Sequence, residues 1–304
     1  MSRPAPAADR GRLPNFFVIG AQKAGTSTLH RLLQQHPQAF MCDPKEPQFF
    51  SAGPPGGGGL REGSGPDPDW YRSLFAGAGE ASAVGEASTT YAMYPHYSGV
   101  PARLTALVAE PKLVYIVREP LARMRSAYLH GVAGGTETRP IARALTADPR
   151  YLLTSCYALQ LRQWLAYVPR ERILLLSLEQ LRDAPEAVLP RLFGFLGVDP
   201  AWRPARLPSA NVSEGKLAPR RWWRALGAAT LRYDKTHWVP DWMGRLNDSA
   251  SPLVRREVPA DELAIGDPVA SQLHRALAAD RVALRRLWAD ASPPQWLQSD
   301  AAAG

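Results

Sequence analysis

The stretch that decides the fold is residues 16–33, FFVIGAQKAGTSTLHRLL. Its first four residues form an apolar run, which is typical of a buried parallel strand. The run ends at Gly20, and from about Thr26 the leucines recur at helical spacing until His36 and Pro37 end the helix. The stretch therefore predicts a strand, a glycine-containing loop and a helix at about 26–35.

The loop in this stretch has the composition of a phosphate-binding loop. Backbone N–H groups at the helix start converge there, and the helix dipole adds partial positive charge. Gly25 allows close approach of an anion. A nucleoside-triphosphate loop carries its lysine directly after this glycine, but here Thr26 follows and the lysine lies earlier, as Lys23. We therefore expect one phosphate bearing a further group, not a triphosphate. The residues expected to bind it are Lys23, Ala24, Gly25, Thr26, Ser27 and Thr28.

A second apolar run, KLVYIV at 112–117, ends at Arg118 and is followed by a predicted helix at about 121–130. Arg118 would stand at the carboxyl end of a strand, where open α/β sheets bind ligands. Its planar guanidinium can hold a phosphate with two hydrogen bonds. Ser126 lies on the following helix and can donate another, so the pair predicts a second phosphate site.

The rest of the chain alternates in the same way. It offers strands at 172–177 and, more weakly, 84–86, and helices at about 154–167, 189–196 and 268–289. Alternating strands and helices predict an α/β fold, a three-layer domain of the P-loop type with a central parallel sheet. We expect a flexible tail at 1–14 and one domain at 15–304. Its C-terminal lobe, from about 200, is expected to be irregular, mostly helical and rich in tryptophan.

Composition narrows the classes of function. Hydrophobic residues make up 45% and charged residues 21%, which suits a folded core. The net charge is +8, but no basic tract with interleaved aromatic residues indicates a nucleic-acid groove. Cys42 and Cys156 fit no metal-ligand spacing and are expected to be free thiols. No signal-like or membrane-length apolar run occurs, so we expect a cytoplasmic protein without a membrane span.

Together the motifs resemble those of the sulfotransferases that use 3′-phosphoadenylyl sulfate (PAPS). Residues 17–27 resemble their 5′-phosphosulfate loop, and 114–120, with Arg123 and residues 126–128, resemble their 3′-phosphate motif. The sequence KEPQFF at 45–50 is similar to a motif of the heparan-sulfate-type enzymes and their bacterial relatives. The resemblance extends over about residues 15–199.

The resemblance implies transfer of a sulfuryl group from PAPS to a hydroxyl or amine of a small-molecule or glycan acceptor. Adenosine 3′,5′-bisphosphate would be the other product, and no metal would be needed. Glu46 would be the general base that takes the acceptor proton. Lys23 would neutralise charge on the oxygen between phosphorus and sulfur, and Tyr157 would contact the nucleotide base.

Several alternatives stay open at this point. The chain could be a P-loop small-molecule kinase or a nucleotide-binding protein without turnover. Glu86 and His96 are further candidates for the base, although His96, like His30 and His36, has no motif around it. Lys216 and Arg220 belong either to a lid over the 3′-phosphate or to a solvated loop. The tryptophans at 222–223 and 238–242 line either an acceptor site or a lobe core.

Overall fold

The computed structural model describes residues 12–51, 67–206, 217–220, 255–288 and 292–298. Its central sheet consists of five strands: β1 (Phe16–Gly20), β2 (Ala39–Met41), β3 (Ala83–Ala87), β4 (Lys112–Val117) and β5 (Ile173–Ser177). All neighbours pair in parallel, in the order β2-β3-β1-β4-β5. A separate antiparallel pair joins β6 (Leu217–Pro219) to β7 (Arg255–Glu257).

Helices connect the strands and continue beyond the sheet. They are α1 (Thr26–Leu33), α2 (Pro68–Ser73), α3 (Val100–Leu107), α4 (Pro120–Ala133), α5 (Ile141–Ala147), α6 (Pro149–Leu153), α7 (Tyr157–Leu165), α8 (Leu178–Asp183), α9 (Pro185–Leu196), α10 (Asp267–Leu287) and α11 (Gln295–Gln298). Short 3₁₀ turns lie at 49–51, 76–78, 89–92, 170–172 and 261–263.

The sheet is covered on both faces, as the side chains of β1 show. Successive residues of a strand point to opposite faces. Phe17 and Ile19 enter one core with side chains of α3, α7 and α10, whereas Phe16 and Val18 enter another with side chains of α1 and α9. This arrangement confirms the predicted α/β fold with a central parallel sheet and helical layers.

The C-terminal helix α10 is tied to the sheet domain by a carboxylate. Asp280 accepts hydrogen bonds from the backbone N–H groups of Ala158 (3.0 Å) and Leu159 (2.8 Å). These N–H groups lie in the first turn of α7 and have no partner within the helix. Leu284 and Trp288 enter the main core on the same side. The helical end of the chain is therefore part of the structure that holds α7.

One predicted helix needs correction, and several elements were not predicted. The single helix expected at 154–167 is instead α7 alone, because α6 ends at Leu153 and a short non-helical link precedes Tyr157. The elements that were not predicted are the short strands β2, β6 and β7 and the helices α2, α3, α5, α6, α8 and α11. Lys216 and the tryptophans at 222–242 lie outside the described residues, so the predictions for a lid and an acceptor lining there are untouched.

Candidate active site

The loop between β1 and α1 depends on one glycine. Gly25 precedes α1 with a φ of 94°, a left-handed conformation that side chains disfavour. A Cβ placed there would also lie 2.6 Å from Cδ1 of Leu178, the first residue of α8. Both facts require glycine at this position. The loop then leads into α1, whose first N–H groups have no partner within the helix.

The loop forms one wall of a cleft of about 310 Å³. Strands β1 and β4 are parallel neighbours, with Val18 opposite Val114, so their carboxyl ends meet at the same edge. The two sequence motifs therefore converge there, as expected for an open α/β sheet. The cleft is lined by Gln22, Lys23, Gly25, Thr26, Ser27, Thr28, Glu46, Thr89, Arg118, Ser126, His130 and Leu178.

Arg118 and Ser126 lie on the β4 side of this cleft. The hydroxyl of Tyr157 donates a 2.7 Å hydrogen bond to the Arg118 carbonyl and fixes the backbone where β4 ends. The Glu119 carboxylate caps α4 by accepting from the N–H groups of Leu121 and Ala122. Ser126 is buried about two turns along α4 and faces the cleft.

Glu46 lies on the opposite side, in the segment that follows β2. Its backbone N–H donates to the Ala87 carbonyl at 3.1 Å, which attaches the segment to the end of β3. The carboxylate contacts the Lys45 ammonium and accepts a long bond of 3.4 Å from the Thr89 hydroxyl. Its side chain keeps 31% of its surface exposed, so the carboxylate stays accessible to a substrate.

Backbone strain is concentrated around the cleft. In the described part of the chain, the non-glycine residues with positive φ are Lys23 (67°), Glu46 (63°) and Gln48 (55°). Such conformations cost free energy and persist only where surrounding contacts impose them. Two of these three residues line the cleft. The strain marks the loop and the Glu46 segment as functional candidates, independently of the sequence motifs.

Most of the predicted site residues are brought together. Two are not in the cleft lining. The Ala24 methyl is buried, and its N–H donates to the Ala21 carbonyl at 3.1 Å within the loop itself. Tyr157 is 1% exposed because its ring packs in the core and its hydroxyl is used by Arg118. Tyr157 therefore supports Arg118 from behind and does not present its ring to the cleft.

The other acid–base candidates lie away from the cleft. Glu86 is fully buried beneath it. His30 and His36 are buried, each with a ring nitrogen 3.2 Å from a backbone carbonyl oxygen, of Cys42 and Asp199 respectively. His96 is not among the lining residues. Arg220 follows β6 and is exposed.

Sequence reasoning missed three polar residues of the lining: Gln22, Thr89 and His130. Gln22 lies in the loop directly before Lys23, so its place in the motif was a usable signal. His130 lies four residues after Ser126 on α4, and this spacing places both side chains on one face of the helix. Thr89 follows β3, the other neighbour of β1 in the sheet. The helical spacing was a usable signal for His130. Thr89 had none, since a place beside β1 follows only from the strand order.

A smaller cavity of about 170 Å³ adjoins the cleft. It shares Gln22 and His130 with the cleft, and its other walls come from α4, from residues 148–154, and from Met93 and Thr136. Asp148 pairs there with Arg150 at 2.7 Å. Arg123 is buried in its wall and donates to the Ser155 hydroxyl and the Tyr151 carbonyl, each at 2.6 Å. Polar and charged side chains thus continue from the cleft into this cavity.

Within the described ranges, no cluster of three or more His, Cys, Asp or Glu side chains has the proximity to hold a metal ion. Both cysteines are free thiols, as predicted. No helix in the same ranges is long and apolar enough to cross a membrane.

Known proteins share both the sequence pattern and the fold. A bifunctional heparan sulfate N-deacetylase/N-sulfotransferase 2 from Bos taurus is 30% identical over 210 residues, which are 62% of this chain and 22% of that protein. Heparan sulfate glucosamine 3-O-sulfotransferase 3B1 from Homo sapiens is 27% identical over 197 residues, 62% of this chain and 47% of that protein. The chain thus spans only part of these relatives.

A solved structure covers more of the chain. The sulfotransferase from Alicyclobacillus acidocaldarius superposes with a TM-score of 0.64 and 25% identity, covering 91% of this chain and 96% of that one. The family model described as the sulfotransferase domain matches residues 13–207, which hold every residue of the cleft. The chain therefore belongs to the sulfotransferase family, as its two phosphate motifs indicate.

Proposed function

We propose that this protein transfers a sulfuryl group from PAPS to a hydroxyl or amine of a small-molecule or glycan acceptor. The observation that carries the proposal is the cleft itself. Lys23 and the loop hydroxyls lie on one wall, Arg118 and Ser126 on another, and the accessible Glu46 carboxylate faces the same space. This set suits a donor with two separate phosphates and an acceptor that must lose a proton.

In the proposed reaction, the acceptor oxygen or nitrogen forms a bond to sulfur while the bond from sulfur to the phosphate oxygen breaks. Glu46 takes the proton that the acceptor loses. Lys23 stabilises the negative charge that develops on the leaving oxygen. The loop and Arg118 hold the two phosphates of adenosine 3′,5′-bisphosphate during the transfer, and this product is released afterwards. No metal is required in this scheme, because Lys23 supplies the positive charge.

The same residues argue against a small-molecule kinase. Thr26 occupies the position of the lysine that a triphosphate loop needs, and β4 ends at Arg118 where an acidic magnesium ligand would be expected. Arg118, just before α4, and Ser126, about two turns along that helix, instead provide a second phosphate site. A donor with phosphates on both the 5′ and 3′ positions uses both sites, whereas ATP uses one.

The reacting group of the acceptor must reach Glu46 in the cleft, and we assign the rest of the acceptor to the smaller cavity that adjoins it. Its lining includes Gln22, Thr136, Arg150 and Tyr151, which offer hydrogen bonds over a polar surface. Such a surface suits an acceptor with several hydroxyl groups more than a flat apolar one. The relatives named for heparan sulfate act on glycans, which agrees with an acceptor of this kind.

A donor screen followed by an acceptor screen tests the proposal. Calorimetry should show that PAPS and adenosine 3′,5′-bisphosphate bind far more tightly than ATP. Incubation with PAPS and acceptor mixtures should then give products heavier by about 80 Da, the mass of a transferred sulfuryl group. Comparable affinity for ATP, or activity abolished by EDTA and restored by Mg²⁺, would contradict the proposal and favour the kinase.

A further inference from the structure

A buried carboxylate lies directly beneath the Glu46 segment. Glu86, near the end of β3, is 0% exposed and accepts three hydrogen bonds from hydroxyl groups. Tyr71 and Tyr91 donate to Oε1 at 2.6 and 2.9 Å, and Ser88 donates to Oε2 at 2.7 Å. A buried ionised carboxylate is costly without such donors, so this network fits Glu86 in its charged form.

Two of these hydroxyls also hold the backbone of the segment that follows Glu46. The Ser88 hydroxyl accepts from the Gln48 N–H at 3.1 Å, and the Tyr91 hydroxyl accepts from the Phe50 N–H at 3.3 Å. A hydroxyl has one proton to give. Because an ionised Glu86 accepts the hydrogen bond that each hydroxyl donates, the lone pairs of both hydroxyls are left to face the two N–H groups.

The segment held in this way is the strained one. Glu46 and Gln48 both have positive φ, a conformation that needs external support. The Ala87 carbonyl supports Glu46. The Ser88 and Tyr91 hydroxyls support Gln48 and Phe50, and each is called a relay here because it connects Glu86 to one of these N–H groups. We propose that Glu86, through Ser88 and Tyr91, is a positioning residue that keeps the general base Glu46 in the cleft. The inference rests on the proposed function of Glu46.

The network should be sensitive to pH in the neutral range. Burial raises the pKa of Glu86 to about 7, although the three hydroxyl donors act to lower it. Above this pKa the carboxylate orients both relays. Below it the carboxyl carries a proton to donate, so one of its three hydroxyl bonds reverses, and a reversal at Ser88 or Tyr91 breaks that relay. Turnover should therefore fall as the pH falls through about 7.

Among the groups of this network, Glu86 is the one expected to titrate near neutral pH. The titratable groups that face it are the phenols of Tyr71 and Tyr91 and the Cys42 thiol, and burial raises the pKa of all three well above its usual range. Arg103 donates to the Phe50 carbonyl, interacts electrostatically with Tyr91 and stays charged.

Stability and turnover should respond in opposite directions. A carboxyl whose pKa is higher in the folded than in the unfolded state makes folding less favourable as the pH rises from its ordinary value to about 7. Ionised Glu86 therefore costs stability at pH 8. Glu86→Gln should leave Tm at pH 8 unchanged or raised, while kcat falls by about 10- to 100-fold through misplacement of Glu46. A purely structural role predicts a lower Tm together with the loss of activity.

The experiment measures kcat for sulfuryl transfer against pH, with bisphosphate affinity by calorimetry as the control for the donor site. In Glu86→Gln we expect affinity within about twofold of the wild type and no acid limb near pH 7. Ser88→Ala removes the relay to Gln48 together with one donor to Glu86, and should lower kcat without deleting the carboxylate. It keeps the test open if Glu86→Gln does not fold.

Tyr71→Phe is the matched control. It removes a donor to Glu86 but none of the hydroxyls that hold residues 46–50. Because the lost bond raises the pKa of Glu86, the acid limb should move to higher pH with the same maximal kcat. A loss of maximal kcat equal to that of Ser88→Ala would overturn the relay.

Hydrogen exchange supplies a readout that does not depend on turnover. The Gln48 amide should exchange faster in Ser88→Ala and Glu86→Gln, but not in Tyr71→Phe. Unchanged exchange and an unchanged pH profile in Glu86→Gln would overturn the inference. If the wild-type protein transfers no sulfuryl group from PAPS, the proposed function fails, and exchange alone decides whether Glu86 positions the segment.

Discussion

The loop at 20–28, proposed to bind phosphate, and the segment at 45–50, which carries the proposed base Glu46 and is called the base segment below, both contribute to the cleft but are built differently. The loop is determined by neighbours in sequence: a strand, one glycine and a helix start follow one another directly. The base segment is held by groups some 40 residues further along the chain, on and after β3. A local signature therefore identifies the loop, whereas the conformation of the base segment depends on the assembled sheet. Substitutions in the two regions should differ accordingly.

The largest effect is expected at the base. Glu46→Gln keeps the shape of the side chain but removes the proton acceptor, so kcat should fall by about 10²- to 10⁴-fold. Affinity for adenosine 3′,5′-bisphosphate, measured by calorimetry, should stay nearly unchanged because Glu46 contributes to the acceptor side.

Lys23→Ala is the contrasting variant from the loop. It should lower both turnover and donor affinity, because Lys23 contacts the donor before the reaction as well as during it. If Glu46→Gln kept near-normal turnover on the true acceptor, the base would lie elsewhere and the division of roles would be wrong.

The next effect tests the requirement for glycine at position 25 of the loop. Gly25→Ala combines a left-handed backbone with a contact of 2.6 Å to Leu178, and should cost about 2–4 kcal/mol of unfolding free energy in urea titration. Gly194→Ala is the control, since it lies within α9 with no atom within 4 Å of the added methyl. It should keep or slightly raise stability. Equal losses in both variants would contradict this account of the loop.

A smaller effect is expected at the second phosphate site. Arg118→Ala should weaken binding of adenosine 3′,5′-bisphosphate by about 1.5–3 kcal/mol, the range for hydrogen bonds to charged groups. Binding of adenosine 5′-phosphate should change much less. Arg125→Ala, at an exposed arginine on α4, should leave both affinities unchanged. Equal weakening of the two nucleotides would place Arg118 at the 5′ side instead.

The smallest effect is expected behind Arg118. Tyr157→Phe removes a 2.7 Å bond to the Arg118 carbonyl and should cost about 0.5–1.5 kcal/mol of stability, with a minor effect on bisphosphate affinity. Tyr167→Phe, with its ring half exposed, is the neutral control. A tenfold or greater loss of bisphosphate affinity in Tyr157→Phe would favour direct contact with the nucleotide base.

The contrast between the loop and the base segment also explains which features could be predicted from the sequence. The strand, loop and helix at 16–33 and the pair Arg118 and Ser126 were predictable because apolar periodicity and charged residues at strand ends are local signals. Those signals gave the fold class and most of the cleft. The support of Glu46 by Glu86, Ser88 and Tyr91 was not predictable, because it depends on which strand lies next to β1.

Tyr157 shows the opposite limit. Its place in a motif suggested a contact with the nucleotide, whereas core packing and a bond to a backbone carbonyl use both its ring and its hydroxyl. A single sequence does not distinguish an aromatic residue that faces a site from one that supports it, because helical spacing is the same in both cases.

The Asp280 clamp on α7 bears on how the chain can be shortened. The family match ends at residue 207, yet Asp280, Leu284 and Trp288 lie beyond it and complete the surroundings of α7. A fragment trimmed to the family boundary would leave two N–H groups at the start of α7 without their acceptor, one residue from the tyrosine that fixes Arg118. An expression fragment should therefore extend beyond the end of the family match, through α10 and Trp288.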